Sequence, residues 1–237
     1  LGVRIVPGKQ PSPFSDVLEK EFDLVYLPIN WKDLEPSEGR YDWEPLDRWM
    51  SWAQQKGKPV VAGPLVDLSA HAVPKWLYVW QHDYDTLRDL LYDHVEKIVQ
   101  RYRSVVAVWS IAAGLNTNEN FVLSGAQMLD LTRMANLIVR QGTRRARTML
   151  EIVQPFGEHV ARTKDSMHAL TYVDKIVQEG IRIDCFGVQV VFGQRKHGRV
   201  TRDLMQLSSL LDKFFLLELP VLLTRASVPS EPVDRDG

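Results

Sequence analysis

Cysteine is almost absent from this sequence: Cys185 is its one thiol, which excludes an internal disulfide and any multi-cysteine metal site. Charge of one sign is not in excess either, since 29 Lys and Arg stand against 30 Asp and Glu. A chain that neutralised many phosphates would be basic, so we expect no nucleic-acid partner. No apolar run approaches the roughly 18 residues that a membrane helix needs, so we expect no membrane span.

Other absences narrow the chemistry. The six histidines show neither HxH nor HExxH spacing, so we expect no metal and no cofactor. The opening segment, LGVRIV, has no basic region and no long apolar stretch, so no signal peptide is expected there. What is present is an ordinary globular mixture, with 45% hydrophobic and 25% charged residues in 237. That length suits one α/β barrel or one large sandwich.

Short apolar runs alternate with longer amphipathic stretches. The runs cover 2–6, 22–29, 59–65, 105–112, 148–153, 183–191 and 219–223. Near-continuous apolar runs are typical of strands buried on both faces, and therefore of a parallel sheet. Their spacing leaves room for a helix after each strand, which predicts a (β/α)8-type TIM barrel. We count about seven units where a closed barrel needs eight; a doubly wound open sheet is the alternative, weakened because no GxGxxG fingerprint follows the first run.

Helical periodicity fills the spaces between the runs. Apolar residues recur at helical spacing over 46–55 and 87–102. Ser124 and Gln127 form a capping-box pattern at the start of a third helix. A fourth helix is predicted over 165–179, ended by Gly180. No Gly/Ser linker or change in composition divides the chain, so we interpret 1–237 as a single domain.

The most informative motif is W-x-x-L-E-P-x-x-G-x-Y-x-W at 31–43. Turn and cap chemistry in a loop between strand and helix accounts for most of it. In company with Pro74-x-Trp76, Trp109 and the runs at 183–189 and 219–224, it resembles the glycoside hydrolases of clan A. It looks most like family 10, the β-1,4-xylanases, over nearly the whole chain. The resemblance implies a TIM barrel, a polysaccharide partner and an extracellular or periplasmic setting.

The resemblance also implies where catalysis would occur. Retaining glycosidases use two carboxyl groups, one as acid/base and one as nucleophile. In the family these are glutamates that follow strands four and seven, and the matching positions here are Gly114 and Arg225. Glycine has no titratable group, and the arginine guanidinium is always charged and cannot attack an anomeric carbon. We therefore predict that both catalytic positions are degenerate.

Polar residues and one tryptophan at the expected strand ends define a candidate cleft. Its members are Asn30, Asp67, Trp76, Asn116, Glu119, Glu151, Gln189 and Arg225. Trp76 could be a sugar platform, whereas Trp31 and Trp109 are expected to pack in the core. Arg225 could pair with Asp67 or Glu151, and the carboxylates could be either a displaced catalytic pair or solvated loop residues. Lys196, His197 and Arg199, together with Arg225, could make the cleft locally basic, which would suit an anionic ligand such as an acidic glycan.

Two functions follow from these observations. The first is a catalytically degenerate barrel that acts as a glycan-binding or structural/assembly module. The second is an active glycosidase on β-1,4-linked polysaccharide that uses relocated carboxylates. An unclosed barrel would expose two strand edges, so we also expect a protein partner or another segment to cover them.

Overall fold

Seven parallel strands form the centre of the molecule. The computed structural model describes residues 1–5, 15–143, 145–193 and 200–228. The strands are β1 (Gly2–Arg4), β2 (Leu24–Pro28), β3 (Val60–Gly63), β4 (Val106–Ala113), β5 (Arg147–Ile152), β6 (Cys185–Val191) and β7 (Val221–Ser227). They pair in chain order, each strand parallel to the next. Since every carboxyl end therefore lies at the same edge of the sheet, the loops that follow the strands meet there.

Helices follow the strands and cover the outside of the sheet. They are α1 (Ser15–Glu21), α2 (Trp31–Leu34), α3 (Glu44–Gln55), α4 (Tyr84–Tyr102), α5 (Gly125–Gly142), α6 (Ala169–Gln178) and α7 (Leu204–Phe215). The Ser124–Gln127 capping box is present at the start of α5, as predicted. Asp203 and Gln206 form a second capping box at α7. Alternation of strand and helix confirms the predicted TIM-barrel class.

Apolar side chains form two separate cores because successive residues of a strand point to opposite faces. The larger core lies between the strands and the helices, and Trp31 and Trp109 are buried in it, as predicted. The smaller core comprises Tyr26, Val61 and Met149 together with Cys185 and lies inside the barrel. Burial raises the pKa of the Cys185 thiol to about 11, so this cysteine is an unreactive core residue at neutral pH.

The structure differs from the sequence prediction at four elements. Helix α6 begins four residues later than predicted, because Met167 N–H donates to Asn116 O at 2.8 Å and the imidazole of His168 caps the helix. The short helix α1 and the helix α7 were not predicted. Strand β7 runs four residues beyond the predicted apolar run, so Arg225 lies within a strand.

The barrel has an open side between β1 and β7. Within the described residues these two strands do not pair with each other, and the sheet order ends at each of them. Apolar side chains are exposed nearby, among them Leu223 on β7 at 57% and Phe215 on α7 at 57%. None of the described helices is both long and apolar enough to cross a membrane.

Candidate functional site

A cavity of about 290 Å³ opens at the carboxyl ends of the strands, and we call it the cleft. This is the face on which barrel enzymes carry their active sites. Of the residues singled out from the sequence, the cleft brings together Asn30, Asp67, Gly114, Glu119, Gln189 and Arg225. Trp76, Asn116 and Glu151 are not among the described residues that line it.

Strand β4 ends in a sharp turn at the cleft. Ala113 is its last residue, and Gly114 adopts a left-handed conformation with φ 64° and ψ 13°. A Cβ atom built on Gly114 would meet Val153 Cγ2 at 3.5 Å, which is ordinary contact. Glycine is therefore favoured at position 114 by the left-handed backbone conformation, since there is enough space for a Cβ atom. Neither residue offers a titratable side chain at this strand end.

Asp67 follows β3 and lies in the cleft with its side chain 15% exposed. One carboxylate oxygen accepts the Ser69 backbone N–H at 2.9 Å. The other lies 3.8 Å from His71 Nε2, and the same nitrogen is 3.3 Å from Ser69 Oγ. A serine–histidine–aspartate relay needs opposite ring nitrogens for its two partners. Because one nitrogen meets both groups here, this turn is not such a relay.

Glu119 lies on the loop after β4 and is exposed to the cleft. Its Oε1 accepts a hydrogen bond from Gln154 Nε2 at 2.6 Å. Gln154 Oε1 in turn accepts from the Arg162 guanidinium at 3.2 Å. The carboxylate is thus the end of a chain of three side chains that ties the loop after β4 to the loop after β5.

The same two loops are joined beneath this chain by buried asparagines. Asn116 Nδ2 donates to Met167 O at 3.0 Å. Asn118 Nδ2 donates to Leu123 O at 2.9 Å and to Asp165 O at 3.2 Å. Asn116 is fully buried. The structure therefore places Asn116 in the support of the cleft and not at its surface.

Glu151 lies inside the barrel, below the cleft, with its side chain 0% exposed. Tyr26 Oη donates to Glu151 Oε2 at 2.9 Å, and Ser110 Oγ donates to the same oxygen at 3.4 Å. Arg4 Nη1 is 3.6 Å from Glu151 Oε1. Burial, and then the Glu151 carboxylate, raise the pKa of Tyr26 well above its ordinary value. Glu151 was one of two possible partners of Arg225, but the structure pairs it with Arg4, because β1 carries that side chain into the barrel.

Arg225 is exposed on β7, in register with Gln189 on β6. Neither side chain makes a hydrogen bond or ion pair with another described residue. The expected pair with Asp67 does not form; His71 occupies that place. Asn30 Nδ2 donates to Asp33 Oδ2 at 2.8 Å, which leaves its carbonyl oxygen as an acceptor.

Trp76 belongs to a group that lies beside the cleft, which we call the Glu35 cluster: Trp31, Glu35, Tyr41, Trp76 and His94. The Trp76 ring meets the Trp31 ring edge to face at 5.6 Å, and its Nε1 donates to Glu35 O at 3.1 Å. Trp31 Nε1 donates to Glu35 Oε2 at 2.7 Å. Trp76 is therefore a packed and hydrogen-bonded side chain in the structure rather than an open aromatic platform.

Glu35 is the centre of that cluster and is buried. Burial alone would raise its pKa, but the polar groups around it, those of His94, Trp31, Tyr41 and the Gly39 N–H, lower the pKa to about 2. Burial lowers the pKa of His94, with Glu35 opposing the shift. The motif at 31–43 is thus organised around the ionised Glu35 carboxylate, which accepts hydrogen bonds from Trp31 Nε1 and the Gly39 N–H.

Sequence reasoning missed Arg4 and His71, which both line the cleft. A signal for Arg4 was available: it is the one charged residue of the first apolar run. No comparable signal marks His71, which reaches the cleft through the turn that begins at Asp67. Lys196, His197 and Arg199 lie outside the described residues. Among those described, no three His, Cys, Asp or Glu side chains form a group suited to a metal ion.

A family comparison decides the lineage of this barrel. The model of Glycosyl hydrolase family 10 matches residues 8–230. The chain belongs to this family. Endo-1,4-beta-xylanase 3 of Hypocrea jecorina is 26% identical over 165 residues, which cover 68% of this chain and 46% of that protein. Endo-1,4-beta-xylanase B of Humicola insolens is 30% identical over 99 residues, covering 40% of this chain and 27% of the relative.

Solved structures of family 10 share the fold. One from Paenibacillus barcinonensis superposes with a TM-score of 0.73 at 19% identity, covering 98% of this chain and 73% of that one. Xylanase10C of Cellvibrio japonicus, solved with xylopentaose, gives 0.74 at 18% identity, covering 99% of this chain and 49% of that one. This family 10 chain spans less than half the length of the Hypocrea relative.

Proposed function

We propose that this family 10 barrel binds a β-1,4-linked polysaccharide at the cleft without hydrolysing it, and that residues 1–237 act as one domain. Curated relatives are endo-1,4-beta-xylanases, and one structural neighbour was solved with xylopentaose. The chemical class of the ligand comes from these relatives.

One observation carries the proposal. The carboxyl end of β4 is Ala113 followed by Gly114, and the cleft position on β7 is Arg225. A retaining glycosidase needs two carboxyl groups roughly 5 Å apart at these places, one to protonate the leaving oxygen and one to attack the sugar. Glycine and arginine can do neither. General acid–base assistance alone contributes about 10² to 10⁴-fold to such a rate. With the nucleophile absent as well, we expect a residual rate near background.

The other carboxylates near the cleft are held by neighbours. Asp67 accepts the Ser69 N–H and faces His71, and Glu119 accepts from Gln154. Glu151 is enclosed within the barrel by Tyr26 and Arg4. These contacts support the loops and the interior, whereas a catalytic carboxylate must reach the glycosidic bond.

Binding remains feasible because the cleft is polar and concave. Asn30 and Gln189 offer neutral hydrogen-bonding groups, and Asp67, Glu119 and Arg225 offer charged ones. Sugar hydroxyls are recognised by such convergent polar groups in a preformed cavity. The interlocked loops at Asn116 and Asn118 hold this lining in place.

The second candidate is a glycosidase with displaced carboxylates. It is favoured by one observation: Asp67 and Glu119 line the same cleft. Inverting enzymes use carboxyl groups as much as roughly 9.5 Å apart, so such a pair does not require the usual strand ends.

A panel of soluble polysaccharides, scored for both binding and release of reducing ends, tests the proposal. We expect saturable binding of at least one β-1,4-linked polymer and no release above a protein-free blank. Asp67→Asn and Glu119→Gln are the matched controls. Release that disappears in either variant would establish the second candidate and overturn the first.

We further propose that the open side of the barrel is covered by a protein partner or another segment. Strands β1 and β7 end the sheet, and Leu223 and Phe215 expose apolar surface beside it. Unpaired strand edges promote association. Hydrogen exchange of the β7 amides in the protein's natural assembly would be slow if they are covered; exchange at the rate of an unprotected loop would contradict this.

A further inference from the structure

Two arginines at the open side of the barrel stand apart from the rest of the cleft. Arg4 lies at the end of β1 and Arg225 lies on β7, the two strands that end the sheet. Both line the cleft, and both also line a neighbouring cavity of about 870 Å³. Asn30 and His71 are likewise shared by the two cavities. The arginines therefore flank a continuous concave surface.

The two carboxylates that line the cleft do not pair with Arg225. Asp67 accepts from the Ser69 N–H and faces His71, and Glu119 accepts from Gln154. Arg225 itself makes no ion pair with a described residue. A guanidinium that faces a cavity without a counter-charge attracts anions, because the low-dielectric walls focus its field.

Arg4 is held in place by its contacts inside the barrel. Its guanidinium lies 4.4 Å from the centre of the Tyr26 ring, and Nη1 is 3.6 Å from Glu151 Oε1. That separation is too long for a hydrogen bond, so the Glu151 oxygen has none. The side chain stays 33% exposed toward the cavities. A stacked and partly paired guanidinium is oriented before a ligand arrives, which lowers the entropy cost of binding.

We propose that Arg4 and Arg225 together bind the carboxylate of an acidic sugar, so that the polysaccharide recognised at the cleft carries uronic acid residues. The planar guanidinium matches a carboxylate with two parallel hydrogen bonds. Asn30 and Gln189 are placed beside the arginines for the sugar hydroxyls. This inference rests on the proposed function, since it names the ligand class of the same cleft.

Calorimetric titration of the full chain tests the inference with three oligosaccharides of equal length. One is a neutral xylo-oligosaccharide, one carries a single uronic acid, and one carries a single sulfate ester in its place. We expect the uronic acid to bind at least about tenfold tighter than the neutral sugar and tighter than the sulfate, and to weaken with added salt.

Variants assign that preference to the arginines. Arg225→Gln and Arg4→Gln should each remove most of the preference for the uronic acid, and Arg225→Lys should retain part of it. Arg103→Gln is the matched control, since Arg103 is exposed at the end of α4, before β4 begins, on the opposite face. Arg225 has no described partner, so Arg225→Gln should fold normally.

The outcomes separate the two proposals. Equal binding of neutral and acidic sugars, with no effect of Arg225→Gln, would overturn the acidic-sugar inference and leave the proposed glycan binding intact. A sulfate ester that binds as tightly as the uronic acid would overturn the assignment of a carboxylate. Failure of all saccharides and polysaccharides to bind would overturn the proposed function, and this inference with it.

Discussion

Two regions of this barrel treat a charged side chain in opposite ways, since one buries Glu35 and the other exposes Arg225. In the Glu35 cluster, the carboxylate receives hydrogen bonds from Trp31 Nε1 and the Gly39 N–H, and His94 lies 3.7 Å away. In the cleft, Arg225 has no described partner at all. The first region surrounds its charge with donors from its own chain. The second presents a charge to open space.

The difference separates residues that stabilise the fold from residues that are available to bind a ligand. The Glu35 cluster fixes the loop from α2 to α3 against α4, so its residues act through stability. The polar cleft residues Asn30, Gln189 and Arg225 are not part of the packed core, so substitutions at these positions should change binding and leave the fold unchanged. Mutations can test this division directly.

The largest effect is expected from Trp31→Ala. Trp31 packs against Trp76 and stacks on His94 at 4.2 Å, and its indole N–H binds Glu35. Truncation leaves a cavity and removes one hydrogen-bond donor from the buried Glu35 carboxylate, so the free energy of unfolding should fall by about 3–5 kcal/mol. Urea denaturation measures it. A loss below about 1 kcal/mol would remove the distinction between the two regions.

Acidification should weaken the Glu35 cluster next. Both Glu35, with its pKa near 2 against 4.5 unfolded, and His94, with a pKa below 6.5, bind fewer protons when folded. The contribution of these two groups to the free energy of unfolding is therefore fully present above pH 6.5. It falls first below pH 6.5, as His94 protonates in the unfolded chain, and falls again between pH 4.5 and 2, as Glu35 protonates. The Glu35 contribution is about 3 kcal/mol.

Glu35→Gln is the control for this acid dependence. It removes the titrating group while it keeps the shape of the side chain. The gap in unfolding free energy between the two proteins should be widest above pH 4.5 and should narrow toward pH 2, as measured by denaturation at a series of pH values. A constant gap would show that Glu35 does not carry the dependence.

A smaller loss of stability is expected when a glutamate is placed at the end of β4. Gly114 has φ 64°, which side chains other than glycine and asparagine adopt at a cost of about 1–2 kcal/mol. Gly114→Glu should lower the free energy of unfolding by that amount, and Gly114→Ala should match it because the backbone causes the loss.

The double change Gly114→Glu with Arg225→Glu should still release almost no reducing ends, because carboxylates without a supporting shell are poorly oriented. High activity would contradict this.

The smallest effect on stability is expected from Arg225→Gln. The side chain is exposed and makes no hydrogen bond or ion pair with a described residue, so the free energy of unfolding should change by less than about 0.5 kcal/mol, as is usual for surface substitutions. Thermal denaturation compares it with Arg103→Gln. A clear loss of stability confined to Arg225→Gln would mean that this arginine serves the fold and not a ligand.

Much of this architecture could be predicted from the sequence, because strands buried on both faces leave long apolar runs. The capping box at Ser124 and the burial of Trp109 follow from local patterns and were confirmed. Helix α6 began late because a contact from another loop, between Asn116 and Met167, replaced its first turn. Local periodicity carries no information on such a contact.

The site was harder to predict for a related reason. A sequence shows which polar residues follow the strands, but not which of them are consumed by their neighbours. Asn116 supports a loop, Glu151 lies inside the barrel, and Trp76 is bonded to the Glu35 backbone. Arg4 lies in the first apolar run, where its charge was the one sign that it faces the cleft.

The fate of a bound oligosaccharide tests the central claim most directly. Xylopentaose or its uronic acid derivative would be incubated for a day with a molar excess of the unmodified protein. The masses of the sugars would then be measured by mass spectrometry. We predict that the oligosaccharide binds to the protein and that its mass is unchanged after the incubation. Shortened products that form with the unmodified protein and disappear with Asp67→Asn would contradict it.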